Sequence, residues 1–297
     1  MKKIVAAAGV ALLLTLPAGC SSDSSASVVA ASVDNSVQFD QALHDKLPLS
    51  VRNTKTLRFV TDASYAPMEQ FAPDGRTIVG FEPDLADALG RVLGVRVEMV
   101  TGTFQTALDR VADGTYDGVL SAMNDTPARE KKADFVDYFS AGTSIVVQRG
   151  NPAGISALDD LCGQIVAVEQ GTTQADMLQR SQKRCGDRPI RISPMRTNAD
   201  ALLRLRTGRA AAVLNDYPAA SHLATDGRTS NYFQLASAAQ YEPGLFGIPV
   251  AKGNIQLRDA LRAALDKVIA SGVYADLLTR WGVSDGAVTS ATVNGAH

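Results

Sequence analysis

Cysteine, histidine and tryptophan are scarce in this chain, at three, three and one in 297 residues. His44, His222 and His297 are scattered and none neighbours a cysteine, so the ligand spacing of a metal site is missing, and no metal or other cofactor is expected. There is no Lys/Arg block and no basic stretch interleaved with aromatics, and the formal net charge is only −2, which removes nucleic acid as a partner. No Ser/His/Asp arrangement or Walker-type phosphate loop is evident, so the chain is not expected to be an enzyme. Apolar runs are also missing beyond the first twenty residues, so nothing later in the chain is expected to span a bilayer.

What the sequence does contain begins with an address. Lys2 and Lys3 precede an apolar stretch from Ile4 to Leu16, too short to cross a membrane comfortably, which ends at Pro17-Ala18-Gly19-Cys20. This resembles the bacterial lipobox, with Pro17 in place of its usual aliphatic residue. Residues 1–19 are read as a signal peptide, and residues 20–56 as a lipidated Cys20 followed by a tether, polar and aperiodic over residues 21–36. The protein is then expected on the outer face of a bacterial cell membrane. Residues 37–53 show some helical character that stops at Pro48. The remaining cysteines, Cys162 and Cys185, are an even pair in an exported chain, which favours a disulfide over two buried thiols.

From Thr56 onward, strands alternate with amphipathic helices. Leu57, Phe59 and the Val95/Val97/Met99 alternation mark strands. Leu85, Leu89, Val92 and Leu93 form an apolar helical stripe that Gly94 ends. The class is α/β with mainly parallel strands. Residues 106–120 align with residues 200–214, pairing Leu108 with Leu202, Gly114 with Gly208 and Leu120 with Leu214. Two lobes of like architecture are therefore expected. In open α/β sheets ligands bind beyond the carboxyl ends of strands, so the informative residues should follow Leu120 and Leu214.

After Leu120, Thr126 and Pro127 look like the cap and first residue of a helix. Arg129 would then lie near its positive end, where a cation needs an anionic partner. That partner is either Glu130 or Asp134 on the surface, or a ligand carboxylate gripped by the guanidinium. After Leu214 comes Asp216, either a helix cap before Pro218 or an acceptor for a ligand ammonium. Gly171, Thr172 and Thr173 follow a strand and open a helix, a pattern suited to binding an anion. Together these groups complement a zwitterion.

At these residues the chain resembles the polar amino-acid branch of the bacterial solute-binding proteins. The likeness spans roughly residues 56–283. It is carried by TDASYAPMEQF (61–71), GFEPDLADALGRVLG (80–94), SAMNDTPAREKKADF (121–135), DLCGQIVAVEQGTTQ (160–174), LNDYPAA (214–220), FGIPVAKGN (246–254) and GVYADLLTRWG (272–282). The resemblance implies a two-lobed periplasmic-binding-protein-like fold with a discontinuous first lobe and two hinge strands. Residues 57–143 and 244–283 would form lobe 1, residues 148–239 lobe 2, residues 144–147 and 240–243 the hinges, and residues 284–297 a tail. It also implies a monomer that captures a free amino acid for the permease of an ABC importer. Arg129, Thr172 and Thr173 would hold the α-carboxylate; Asp216 and groups around Ala122 and Asn124 would hold the α-ammonium. Tyr65 and Phe104 would flank the side chain, with Asp62 at its far end. Phe81 reads as core and Glu82 as a local cap. Glu169 departs from the common Lys or apolar residue of relatives and puts a second carboxylate in the pocket. Asp62 and Glu169 together favour a cationic ligand (arginine, lysine or ornithine) over glutamine, unless Glu169 faces solvent or pairs with Lys183 or Arg184. The same scaffold also serves cyclohexadienyl dehydratases, for which a buried Glu169 would be the acid.

Overall fold

The structure, a computed structural model, describes residues 37–296; the signal peptide, Cys20 and residues 21–36 of the tether lie outside them. In the first lobe Thr56–Thr61 is the middle strand of a parallel three-stranded sheet, flanked by Arg96–Thr101 and Gly118–Val119. Helix Phe81–Leu93 covers this sheet with the predicted stripe: Leu85, Leu89, Val92 and Leu93 are fully buried, and Gly94 closes the helix in the left-handed region. Phe81 is core as expected. The backbone at Gly80 (φ 150°) lies against the chain at Met68, and a Cβ there would come within 2.1 Å of the Met68 carbonyl oxygen. Only glycine fits.

The second lobe holds parallel strands Arg191–Met195, Ile165–Glu169 and Ala212–Asp216. The repeat seen in the sequence is structural. Helices Phe104–Ala112 and Asn198–Arg206 precede strands Gly118–Val119 and Ala212–Asp216, in register with the alignment. Each lobe has its own apolar cores, and the strand Ala133–Gln148 contributes to both: Val136, Tyr138 and Phe139 on one side, Ile145 and Val147 on the other.

That long strand corrects the expectation of a mainly parallel sheet. It runs antiparallel to Ala212–Asp216 and to the second crossing strand, Tyr241–Ala251, which pairs with it from Thr143 to Ala133. A chain that leaves one lobe for the other and returns beside its outgoing path must pair antiparallel there. The sheets are therefore of mixed orientation.

Both ends of the described chain are more structured than a tether and a tail. Residues 41–44 and 49–54 form two short helices, and Pro48 stands at the N-cap of the second rather than ending the helical segment. Leu43, Leu47 and Val51 insert into the first lobe's core. At the other end Thr292–Val293 pairs with the long crossing strand. Among the described residues no helix is long and apolar enough to cross a membrane.

Cys162 and Cys185 form the expected disulfide, with Cα atoms 5.3 Å apart. A cross-link closing a loop of this length contributes about 3 kcal/mol in the chain-entropy picture. The double replacement Cys162→Ala/Cys185→Ala is expected to lower unfolding stability in urea by about this amount. A change below ~0.5 kcal/mol would show that the loop is already ordered in the unfolded chain.

Candidate functional site: an interlobe cleft lined by carboxyl groups

Between the lobes lies a narrow cleft, with walls supplied by the strand exits that the repeat singled out. Asp216 ends its strand in the N-cap position of helix Tyr217–Thr225, yet its side chain makes no capping bond. It points into the cleft instead. The Tyr65 hydroxyl donates to Asp216 Oδ2 at 2.8 Å, the Asp216 N–H donates back to that hydroxyl at 2.7 Å, and Gln174 Nε2 donates to Oδ1 at 2.8 Å. Burial raises the Asp216 pKa to about 7, against the hydrogen bond from Tyr65 and the field of Arg129.

Glu169 ends the neighbouring strand. It neither faces solvent nor meets a lysine or arginine: it is 8% exposed, and Arg184 pairs with Asp159 instead. Its carboxyl meets that of Asp62 from the opposite lobe, and burial together with Asp62 raises its pKa to about 9. Asp62 Oδ2 and Glu169 Oε1 have no other hydrogen-bond partner. One proton shared between the two carboxyls satisfies both oxygens.

Arg129 occupies a different position from the one its sequence context implied. No helix follows Thr126; residues 127–132 form turns, held by Arg129 N–H donating to Thr126 Oγ1 at 3.2 Å. The i→i−4 bonds there, Glu130 N–H to Thr126 O and Ala133 N–H to Arg129 O, are isolated rather than consecutive, so no helix dipole builds up. The guanidinium donates to the carbonyls of Asn124 at 2.7 Å and, across the cleft, Gly171 at 2.9 Å. It lies 5.6 Å from the centre of the Phe104 ring, and burial lowers its pKa. Two of its five N–H donors are thus used. Arg129 borders not the cleft proper but the wider groove that adjoins it at Asn124 and Thr173.

The remaining predicted residues divide by what their polar atoms already do. Thr172 is the N-cap of helix Thr173–Ser181: its hydroxyl accepts from Ala175 N–H at 3.2 Å and donates to Glu169 O at 2.8 Å. Gly171 before it has φ 78°. Thr173 donates to Asn124 Oδ1 across the cleft at 2.8 Å. Ala122 lines the cleft with φ 44°, a strained value for a residue with a Cβ, and its N–H is taken by Glu82 at 2.7 Å. Glu82 is therefore not a local cap. Fully buried, it also accepts from the Tyr138 hydroxyl. Burial raises both its pKa and that of its neighbour Glu69, Glu69 the more so through the Glu82 carboxylate.

Several cleft residues were not anticipated. Glu69 lines it and accepts from the Ser121 hydroxyl at 2.9 Å; that hydroxyl accepts in turn from Asp62 N–H at 3.0 Å. Asn198 Nδ2 donates to Ser64 O across the cleft at 3.2 Å. Asn215 and Gln174 complete the second-lobe wall. The repeat could have found two of them, because Asn198 aligns with Phe104 and Asn215 with Ser121.

Paired lobes joined by two crossing strands, with polar groups from both converging on an enclosed cleft, define a protein that captures a small solute. The family of bacterial extracellular solute-binding proteins, family 3, matches residues 57–284, and the chain belongs to it. The resemblance read from the sequence, to the amino-acid branch of these proteins, is thereby borne out. Among its relatives is a putative ABC transporter arginine-binding protein 2 of Escherichia coli, 28% identical over 235 residues, covering 78% of this chain and 93% of the relative. An ancestral arginine-binding protein bound to arginine superposes with a TM-score of 0.70 at 30% identity, covering 76% of this chain and 98% of that one. An ancestral amino-acid-binding protein described as a precursor of cyclohexadienyl dehydratase gives 0.69 at 30% identity, covering 78% and 97%. That neighbour is itself a binding protein, and this chain is a binding protein rather than an enzyme.

Tyr65 gives the site a direct check. Its hydroxyl stabilises the ionised form of Asp216, so Tyr65→Phe is expected to raise the Asp216 midpoint above about 7 in a carboxyl-carbon NMR titration. An unchanged or lower midpoint would contradict the hydrogen bond.

Proposed function

We propose that this protein captures one L-α-amino acid with a cationic side chain, arginine, lysine or ornithine, and delivers it to the permease of an ABC importer. The observation that carries the reading is the Asp62–Glu169 pair, which faces itself across the cleft and does not border the groove that Arg129 lines. The α-carboxylate goes to the unused donors of Arg129, with Thr173 and the N-terminus of its helix beside it. The α-ammonium goes to Asp216, whose two oxygens each retain a lone pair. A guanidinium or second ammonium then replaces the proton between Asp62 and Glu169, while Tyr65 and Phe104 cover the methylenes. The arginine-binding proteins among the relatives point the same way.

The contacts that bridge the cleft, Tyr65 to Asp216, Asn124 to Thr173 and Arg129 to Gly171, belong on this reading to a closed form. Opening proceeds by bending the two crossing strands. Lipidation at Cys20 would hold the protein, as a monomer, at the outer membrane face. Metabolic labelling with palmitate should label the wild type and not Cys20→Ser; equal labelling of both would exclude the anchor.

Arginine and citrulline have nearly the same shape and differ in charge, so calorimetric titration with both tests the proposal. Arginine is expected to bind at least tenfold tighter, a difference of about 1.4 kcal/mol. The signs of proton linkage follow from the raised pKa of Glu169. In the closed cleft without ligand its carboxyl keeps its proton up to pH about 9. A cation beside it lowers that pKa, so binding at pH 7 releases protons, and affinity improves as pH rises toward that value. Buffers of different ionisation enthalpy measure the release, and Glu169→Gln should reduce it. Glutamine or citrulline binding tighter than arginine, with no more proton release than Glu169→Gln shows, would instead mean a polar neutral ligand and a Glu169 that stays protonated.

A further inference from the structure

The family match ends at residue 284, yet the chain beyond it is built into the first lobe beside the loop that carries Arg129. Thr292 Oγ1 donates to Asp137 Oδ2 at 2.8 Å, and Gly295 N–H donates to the same oxygen at 3.1 Å. Asn294 exchanges bonds with the backbone of Phe135 in both directions, and Ala296 N–H donates to Glu130 Oε1 at 3.3 Å. The fit around Asp137 is close. A Cβ on Gly247 would stand 2.7 Å from Asp137 Oδ1, and one on Gly295 would stand 2.8 Å from Oδ2.

On the far side of Asp137 sits Asp125, in the Arg129 loop. It is 5% exposed; no donor meets either carboxylate oxygen in good hydrogen-bond geometry, although the Ala296 N–H lies close enough to favour its ionised form. Asp137 is fully buried and its Oδ1 likewise lacks a donor. The two carboxyls are in hydrogen-bonding contact, and Glu130 closes on Asp125 from the turn. Two buried carboxylates cannot both ionise at such a distance, so a proton on Asp125 donates to Asp137 Oδ1 and satisfies both. The loop is then joined through Asp137 to the C-terminal strand, and its position sets where Arg129 stands, four residues on.

We propose that Asp125, Asp137 and the segment Thr292–Ala296 form a latch that positions Arg129 for the ligand carboxylate. This rests on the amino-acid-binding reading for its consequence, although not for its existence. Burial raises Asp125 to about 8, with Asp137 and Glu130 adding to the shift. The groups facing the pair are Glu130 from the turn, Arg129 at longer range, and the donors Thr292, Gly295 and Ala296 N–H from the tail. Asp134, on the same strand, is already matched by Lys252 and Arg258. The strand Tyr241–Ala251 brings Glu242 into the same groove, paired there with Arg180, and beside the acids it offers Gly247 and the Leu245 carbonyl, which accepts from Asp125 N–H at 2.8 Å. The latch is therefore closed below pH about 8 and loosens as Asp125 ionises above it.

The test compares the full-length protein with Asp125→Asn, whose amide donates to Asp137 and Glu130 at every pH. In ligand-free protein, hydrogen-exchange protection of the Asp125, Asn294 and Gly295 amides should fall between pH 7 and 9.5 in the wild type and persist in Asp125→Asn. With arginine as ligand, the ratio of wild-type to Asp125→Asn dissociation constants should be flat below pH 7.5. It should then rise by up to about tenfold per pH unit above 8, the limit for one fully coupled proton. Taking the ratio cancels the titration of Glu169 and Asp216, which both proteins share. Thr292→Val removes one donor to Asp137 Oδ2 while leaving both acids in place, and should weaken protection and affinity already at pH 7. Protection that is indifferent to pH, or lost equally in Asp125→Asn, overturns the latch whether or not arginine binds. Protection lost as expected with a flat ratio of dissociation constants overturns its role in positioning Arg129.

Discussion

Carboxyl groups outnumber cations around the cleft, and much of the structure there follows from accommodating them. Asp62, Glu69, Glu169 and Asp216 line it, while the guanidinium of Arg129 lies at its edge. Ionised carboxylates without partners are too costly to keep out of water, so each one here is hydrogen-bonded or shares a proton. Asp216 takes the first course, held ionisable near neutrality by Tyr65 and Gln174. Asp62 and Glu169 take the second, across the gap between the lobes. Glu69 and Glu82 do the same one layer down, where Glu82 also holds the strained backbone at Ala122. The deeper pair lies wholly within the first lobe, and its proton has no reason to leave on binding. The pair in the cleft spans two bodies and can exchange a proton for a cation.

The crossing strands make that exchange mechanically possible. Ala133–Gln148 and Tyr241–Ala251 are the backbone of both lobes' cores and also the connection between them. Each lobe is rigid because its apolar cluster is complete without the other. The contacts that close the cleft are, by contrast, polar and few. Polar contacts between water-accessible faces contribute little net stability, since water replaces them on opening. On the proposed reading, a ligand that supplies charge partners on both faces shifts the balance by more than the lobes' own contacts do.

Much of this was legible in the sequence, because the informative signals were local. The helical stripe of Leu85, Leu89, Val92 and Leu93, the glycine that ends it, and the repeated helix–strand unit all depend on neighbours within a few residues. So did the placing of Asp216 and Glu169 at strand exits. What was not legible depended on partners far along the chain. Pro48 looks like a stop in the sequence, yet Leu43, Leu47 and Val51 dock on a core built largely from residues far along the chain, helix Phe81–Leu93 among them. Glu82 looked like a cap because its partners, Ala122 and Tyr138, are distant in sequence. Thr126-Pro127 has the chemistry of a helix start, but the turns that follow never join into consecutive i→i−4 bonds before the crossing strand takes over at Ala133. Local propensity proposes, and long-range pairing decides.

The same distinction explains why the C-terminal segment carries weight that its composition hides. Thr292, Asn294 and Gly295 are small, partly exposed and unremarkable as a sequence. Their effect comes from arriving beside Asp137, where the long crossing strand has already brought Asp125 into contact. The carboxylate of Asp137 would be costly if left with one donor, and the tail supplies two. A strand of two residues is marginal alone, since so few pairings cannot offset the ordering of the chain. It persists because it satisfies a charge that the first lobe cannot satisfy for itself. The acid pair thus makes the loop beneath Arg129 dependent on residues beyond the family match, and couples the placement of that guanidinium to the packing of an otherwise plain tail.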